Sequence, residues 1–248
     1  MIKIERGERP KALTLEVCEE LTKIYSENRD RDVWNCPKIK KPLKEALLKM
    51  SRGKCVYCEC ILNIESKDVT IDHFLPKSTH ANEVVKWENL LPACLRCNRE
   101  KGDYEGIIVN PCVDSPKDYI ALDSKSRYRL RGIDEKGIGK NTIISVKLND
   151  IQRVMVPRMI EWEIIRQRLV NILEDLEERG YHKKYKSRLE VLMSECMPDC
   201  SYAAIKAANM LDDDNYKRIK DILTVEGKWT DKLEIYEDTM KNICLQFV

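Results

Sequence analysis

The stretch Cys55-Val56-Tyr57-Cys58, continued by Ile71-Asp72-His73-Phe74-Leu75-Pro76, Trp87-Glu88-Asn89-Leu90-Leu91-Pro92 and Cys94-Leu95-Arg96-Cys97-Asn98-Arg99-Glu100-Lys101-Gly102, decides how the chain is read. It contains two C-x-x-C pairs with 35 residues between them. Two residues between cysteines let both thiolates turn toward one ion, and four sulfurs at about 2.3 Å from it make a closed tetrahedral zinc site. A closed site keeps no open position for chemistry, so zinc at Cys55, Cys58, Cys94 and Cys97 is expected to be structural. The separation exceeds the about 15 to 20 residues of a simple zinc ribbon. The insert between the pairs is therefore where the chemistry is expected. A redox dithiol is the rival reading, and it fits worse because such motifs come singly in a strand-helix setting. Cys60 competes with Cys58 as a ligand but offers a poorer spacing, and it is kept as a spare.

Working outward, Leu15, Val17, Leu21, Ile24 and Tyr25 recur at helical spacing after Thr14, a candidate N-cap. Leu43, Ala46, Leu47 and Met50 repeat the pattern until Ser51-Arg52-Gly53, so two short helices are expected to lead into the first cysteine pair. Inside the cluster Val69-Thr70-Ile71 and Leu90-Leu91 read as short strands. After Asn110-Pro111 the run Thr142-Ile143-Ile144-Ser145-Val146 reads as an isolated strand. Leu148-Asn149-Asp150 then supplies a cap for a long amphipathic helix reaching Arg179-Gly180, which Pro157 should kink or split. The remainder, with apolar positions such as Leu189, Leu192, Ala204, Ile205 and Leu233, reads as helix throughout. The fold class is α+β and mainly helical. Residues 1–54 form an N-terminal helical segment, 55–112 the finger, and 113–248 a strand plus a helical C-terminal region.

Composition sets the outer limits. The 248 residues carry 44 Lys+Arg and 42 Asp+Glu, a net charge of +2 that excludes a uniformly basic nucleic-acid coat protein. Hydrophobic content of 43% and balanced charge of 35% describe a globular protein with a packed core rather than a disordered one. Only 9 Gly and 9 Pro imply few turns, hence helix. No run approaches the about 20 apolar residues of a membrane span, and the first residues lack the apolar segment of a signal peptide. Eleven cysteines, an odd number clustered as pairs, point to a reducing compartment and metal binding. The expected location is the cytoplasm of a bacterium or archaeon, with no membrane partner. Charge is uneven along the chain: Lys38 to Lys54 holds seven bases against Glu45, while Glu195 to Asp238 holds eleven acids against six bases. The basic stretch reads either as a solvated helix face or as a surface meeting phosphates through Lys38, Lys40, Lys41 and Lys44.

The order of Asp72-His73, Asn89 and Asn98 between and beside the cysteine pairs resembles the HNH endonuclease family with its ββα-metal finger, in the variant whose final histidine is asparagine. More widely, Ile2-Lys3-Ile4-Glu5-Arg6-Gly7, Asp72-His73-Phe74-x-Pro76-Lys77, Trp87-x-Asn89-Leu90-Leu91, Asn110-Pro111 and Leu148-Asn149 resemble the PtuB family, the HNH subunits of Septu-type anti-phage systems. The resemblance implies a small finger with a four-cysteine zinc site embedded between helical segments. It also implies a nuclease acting on nucleic acid together with a separate PtuA-like ATPase subunit; the chain has no G-x-x-x-x-G-K-[ST] of its own.

Phosphodiester hydrolysis needs an activated water, neutralised transition-state charge and a stabilised leaving oxygen. By resemblance His73 is the general base, as a neutral imidazole at cytoplasmic pH can be. Asp72 and Asn98 offer the hard oxygen ligands that Mg²⁺ or Mn²⁺ takes. Asn89 stands where the family's central asparagine ties back the loop and orients the histidine. Lys101, three residues after Asn98 on the same helix face, is expected to touch a phosphate oxygen. Adjacent Asp72 and His73 would point to opposite faces of an ideal strand, so a bend or bulge is expected there. His80 and His182 are read as incidental, Trp87 as core, and Cys196 and Cys200, along with Cys18, Cys36, Cys112 and Cys244, as helix-face thiols without a metal. Two alternatives stay open: an RNA-cleaving nuclease, because backbone contacts carry little sugar discrimination, and a non-catalytic zinc finger that binds nucleic acid.

Overall fold

The computed structural model describes residues 1–64 and 67–248. An extended N-terminal segment, whose Ile4 N–H donates to the Pro111 carbonyl at 2.8 Å, precedes helix α1, Leu15–Glu27. The Thr14 hydroxyl caps α1 by accepting from the Val17 N–H at 3.2 Å, as the sequence suggested. Helix α2, Pro37–Met50, buries Ile39, Leu43 and Leu47 and leaves its lysines outward. Strands β1, Val69–His73, and β2, Leu90–Cys94, pair antiparallel, and helix α3, Leu95–Lys101, follows β2 without a break. This is the ββα unit, and α2 and α3 both pack on its sheet.

The first two helices share a core with the finger. Leu21 and Tyr25 of α1 and Leu43 and Leu47 of α2 close over Ile71, Val84, Trp87 and Leu90. A second core gathers the cysteine cluster with Ile2, Ile4, Val109, the short hairpin β3, Ile120–Leu122, and β4, Leu130–Gly132, and Leu245. The chain end returns to that hairpin, Leu122 donating to the Gln246 carbonyl and Val248 to the Leu122 carbonyl, each at 2.8 Å.

The run Thr142–Val146 is not a strand. Thr142–Ser145 lie in helix α4, Ile138–Ser145, and Val146 is its C-cap; the Asp134 carboxylate accepts the Ile138 and Gly139 N–H groups at 2.7 Å and starts a turn after Gly137 in the left-handed region. Thr142 satisfies its hydroxyl on the Ile138 carbonyl at 2.8 Å, a bond a helix provides for Thr in place of a strand's. Asp150 does cap the long helix, accepting from Arg153 N–H at 2.8 Å, but the first turn, Ile151–Met155, is π-helical. Helix α5, Val156–Arg179, starts after it with Pro157 in the first turn, where a missing N–H costs nothing, and ends at Gly180. Helices α6, Lys183–Ser194, α7, Ala203–Asp212, α8, Asp214–Val225, and α9, Asp231–Ile243, pack with α5 around Trp162, Leu169, Leu189, Met210, Ile219 and Met240. Cys196 and Cys200 sit in the turn joining α6 to α7, not on a helix face. Among the described residues no helix is long and apolar enough to cross a membrane.

Candidate active site and metal centre

The two cysteine pairs close on one another where β2 ends. All four sulfurs of Cys55, Cys58, Cys94 and Cys97 lie within 4.8 Å of each other, and Cys58 Sγ stands 3.9 Å from Cys94 Sγ. Sulfurs bound tetrahedrally at about 2.3 Å from zinc would lie about 3.8 Å apart. The cluster therefore fits a zinc ion. The Cys97 N–H donates to Cys94 Sγ at 3.4 Å, the backbone bond that a C-x-x-C turn offers a thiolate, and the neighbouring thiols, Cys55 first, pull Cys94 and Cys58 below the usual thiol range. Cys60 is buried beside the cluster but outside the set of four, and its carbonyl accepts from the Cys55 N–H at 2.9 Å. Glu59, left-handed at φ 64°, turns its buried carboxylate to the Met1 amine at 2.7 Å and Lys54 Nζ at 3.3 Å. Burial alone would raise its pKa; those two cations hold it down to about 2. Lys54 is thus inside the protein and is not part of the basic surface that the sequence grouped it with.

His73 closes β1. The ladder runs through Asp72↔Leu91 and His73↔Leu90 in regular register, so the expected bulge is absent and the strand ends at His73 itself. The two side chains accordingly part. His73 turns toward the segment joining α1 to α2, its ring edge-on to Trp34 at 4.7 Å, and Nε2 is 2.8 Å from the Val84 carbonyl. A carbonyl accepts only, so Nε2 carries the proton and Nδ1 keeps its lone pair. Burial, helped by the charges of Lys77 and Lys101, pulls the imidazole down to about 4 against the opposing pull of the Val84 bond. The ring is neutral at pH 7, the state a general base requires.

The loop that holds Val84 is itself held by Asn89. Its Oδ1 accepts from Leu75 N–H at 2.6 Å, while its Nδ2 donates to the Leu75 and Glu83 carbonyls, each at 3.1 Å. The buried amide therefore fixes both ends of the segment against which His73 is bonded.

Asp72 faces the other way, toward the cysteine cluster and α3. Tyr57, from within the first C-x-x-C, donates to Asp72 Oδ2 at 2.6 Å, and Lys101 Nζ approaches Oδ1 at 3.2 Å. Burial outweighs Lys101 and leaves the carboxyl above its usual range. Asn98 donates to Thr70 Oγ1 at 3.0 Å and to the Ile71 carbonyl at 3.3 Å, which sets α3 beside the residues leading into Asp72. Asp72 and the Asn98 side-chain carbonyl are hard oxygens of the kind Mg²⁺ or Mn²⁺ takes, but Asp72 is 2% exposed and its two oxygens already meet Tyr57 and Lys101, so an ion would have to share or displace those partners. Lys101 does not reach outward to a phosphate: its side chain is fully buried, and Nζ also donates to the His73 carbonyl at 2.6 Å. A lysine that pairs with a buried carboxylate cannot also face solvent.

Lys38, Lys40 and Lys41 are exposed and Lys44 half-exposed on α2. Trp87 is core, with Nε1 donating to the Gly7 carbonyl at 2.9 Å. His182 caps α6, accepting from the Lys184 N–H at 3.1 Å, and His80 pairs with the Thr79 hydroxyl at 3.0 Å. The sequence reading missed Tyr57 and Trp34. An aromatic inside a zinc knuckle was the available signal for the first; nothing local marks the second.

Comparison with known proteins agrees with this geometry. A family model described as HNH endonuclease matches residues 55–104. The chain is 34% identical to Septu protein PtuB from Bacillus thuringiensis over an alignment covering 99% of this chain and 96% of that protein. It is 29% identical to Septu protein PtuB from Bacillus mycoides (strain KBAB4), over 38% of this chain and 43% of that one.

Proposed function

The chain belongs to the Septu PtuB family and is an HNH nuclease, and on that premise we propose that it hydrolyses phosphodiester bonds in DNA as the effector of an anti-phage system, working with a PtuA-like ATPase in the cytoplasm. The observation that carries the catalytic assignment is the 2.8 Å contact of His73 Nε2 with the Val84 carbonyl, which leaves Nδ1 as the base. His73 takes the proton from the attacking water through Nδ1. Trp34 and the loop held by Asn89 keep the ring from turning, so the lone pair keeps its aim. Asp72 and Asn98 would hold Mg²⁺ or Mn²⁺. When bound, such an ion supplies charge neutralisation at the phosphate and at the leaving oxygen. Tyr57 holds Asp72 in place, and Lys101 joins Asp72 to the end of β1. The zinc of the four cysteines is structural. Lys38, Lys40, Lys41 and Lys44 meet backbone phosphates and carry no sequence information.

The test is incubation of the purified chain with plasmid DNA and with total RNA, in Mg²⁺ or EDTA, alone and with the ATPase subunit. Mg²⁺-dependent cutting of DNA supports the proposal. Cutting of RNA alone would transfer the reading to a ribonuclease, and cutting that survives EDTA would remove the metal from it.

A further inference from the structure

Two arginines at the start of the long helix have no acidic partner among the described residues. Arg158 is 1% exposed, yet among the described residues its Nη1 donates only to the Tyr128 and Leu148 carbonyls, at 3.2 and 2.8 Å; burial pulls the guanidinium down, opposed first by the charge of nearby Cys58. Its Nε has no partner among the described residues. Arg153, on the π-helical turn, donates through Nη2 to the Val146 and Lys147 carbonyls, both at 2.7 Å, and through Nη1 to Cys97 Sγ at 3.3 Å. Among the described residues neither guanidinium reaches a carboxylate; Glu59, the buried acid near the cluster, is already taken by the Met1 amine and Lys54.

Burying an uncompensated cation is costly, and folds rarely do it without an opposite charge nearby. Four thiolates around Zn²⁺ leave a net charge of −2. We propose that Arg153 and Arg158 are the counter-cations of the zinc tetrathiolate, with Arg153 as its direct hydrogen-bond donor, so that metal loading of the finger is what seats the start of α5 against it. The π-helical turn serves this arrangement: it lets one guanidinium bridge the end of α4 and a zinc ligand at once. A ligand held by an outer donor is less basic and less easily protonated or captured. This inference needs only the cysteine cluster and is independent of the assignment of His73.

The experiment substitutes Co²⁺ for zinc in the full chain and compares wild type with Arg153→Gln and Arg153→Lys. Glutamine keeps a donor for the α4 carbonyls and removes the charge. Its thiolate-to-cobalt absorption is expected to move to lower energy, and zinc should pass to a chromogenic chelator about tenfold faster or more. Lysine should restore much of both. An arginine that merely caps α4 would lower thermal stability and leave spectrum and release rate as in wild type, and that result would overturn the proposal. Should the glutamine variant fail to accumulate, Arg153→Met carries the test: the same spectral shift and faster zinc release support the assignment, and a wild-type spectrum and release rate refute it. Arg158→Met provides a second reading. Its melting temperature should fall less on zinc removal than the wild type's, and an equal fall would exclude Arg158.

Discussion

Lys101→Met removes one half of an ion pair that water does not reach. Asp72 is 2% exposed and the Lys101 side chain 0%, so no solvent replaces the lost ammonium. Asp72 keeps only the Tyr57 hydroxyl, and the His73 carbonyl loses its 2.6 Å donor at the end of β1. Breaking a buried pair in this way costs about 3 to 5 kcal/mol, most of it the uncompensated carboxylate. Acid should relieve that cost. In wild type burial already holds Asp72 above its usual range despite Lys101; without the lysine the folded pKa rises further. A carboxyl raised on folding favours the native state below its unfolded pKa of about 4, and that contribution is lost as pH rises through the folded value. The deficit of the variant is therefore largest near pH 8 and shrinks toward pH 5.5. Urea midpoints of wild type and variant, measured side by side at each pH with zinc content checked, are expected to differ by about 1 M or more at pH 8 if the slope is about 3 kcal/mol/M. Asp72→Asn in the same chain should recover a large part of the loss. A variant within about 1 kcal/mol of wild type at pH 8, or a deficit independent of pH, would refute the reasoning from a closed ion pair.

Asn89→Ala should cost about 1 to 3 kcal/mol by unpairing three partly buried backbone groups, and hydrogen exchange should show residues 74–84 opening well before the β1–β2 ladder. His73, with a folded pKa of about 4 against about 6.5 unfolded, stabilises the protein above pH 6.5 and loses that contribution as pH falls toward 4; His73→Gln should flatten this part of the pH–stability curve, and wild-type cleavage should hold its plateau down to about pH 5. Cys94→Ser should lose zinc and solubility together, which metal analysis of the soluble fraction checks directly.

Much of the site was legible because its residues are close in sequence or repeat a fixed spacing. The C-x-x-C pairs, the Asp72-His73 dipeptide and the α3 residues following Cys97 each carry their geometry locally. What failed to show depends on contacts at a distance. Four of the five residues of Thr142–Val146 are β-branched, yet Thr142–Ser145 are helical, in a helix whose start is held by the Asp134 carboxylate, accepting from N–H groups four and five residues on. The β3–β4 hairpin pairs three residues with three, too few for alternation to stand out, and it is completed by a chain end more than a hundred residues away. Lys101 is expected at a phosphate oxygen because spacing on a helix gives a direction and no depth; its depth follows from Asp72, 29 residues earlier. The donor to Cys97 is likewise 56 residues removed, on a helix that pattern alone would take for a plain amphipathic one.

The central claim is that the proton of the attacking water goes to Nδ1 of His73. Its most direct test is the single-turnover rate of DNA cleavage by His73→Ala against wild type, under the Mg²⁺ and partner conditions in which wild type cuts, with zinc content and melting temperature measured on the same samples. The account predicts a loss of about 10²- to 10⁴-fold with zinc unchanged and a fold still intact; cleavage at the wild-type rate by that variant would contradict it and place the base on another residue.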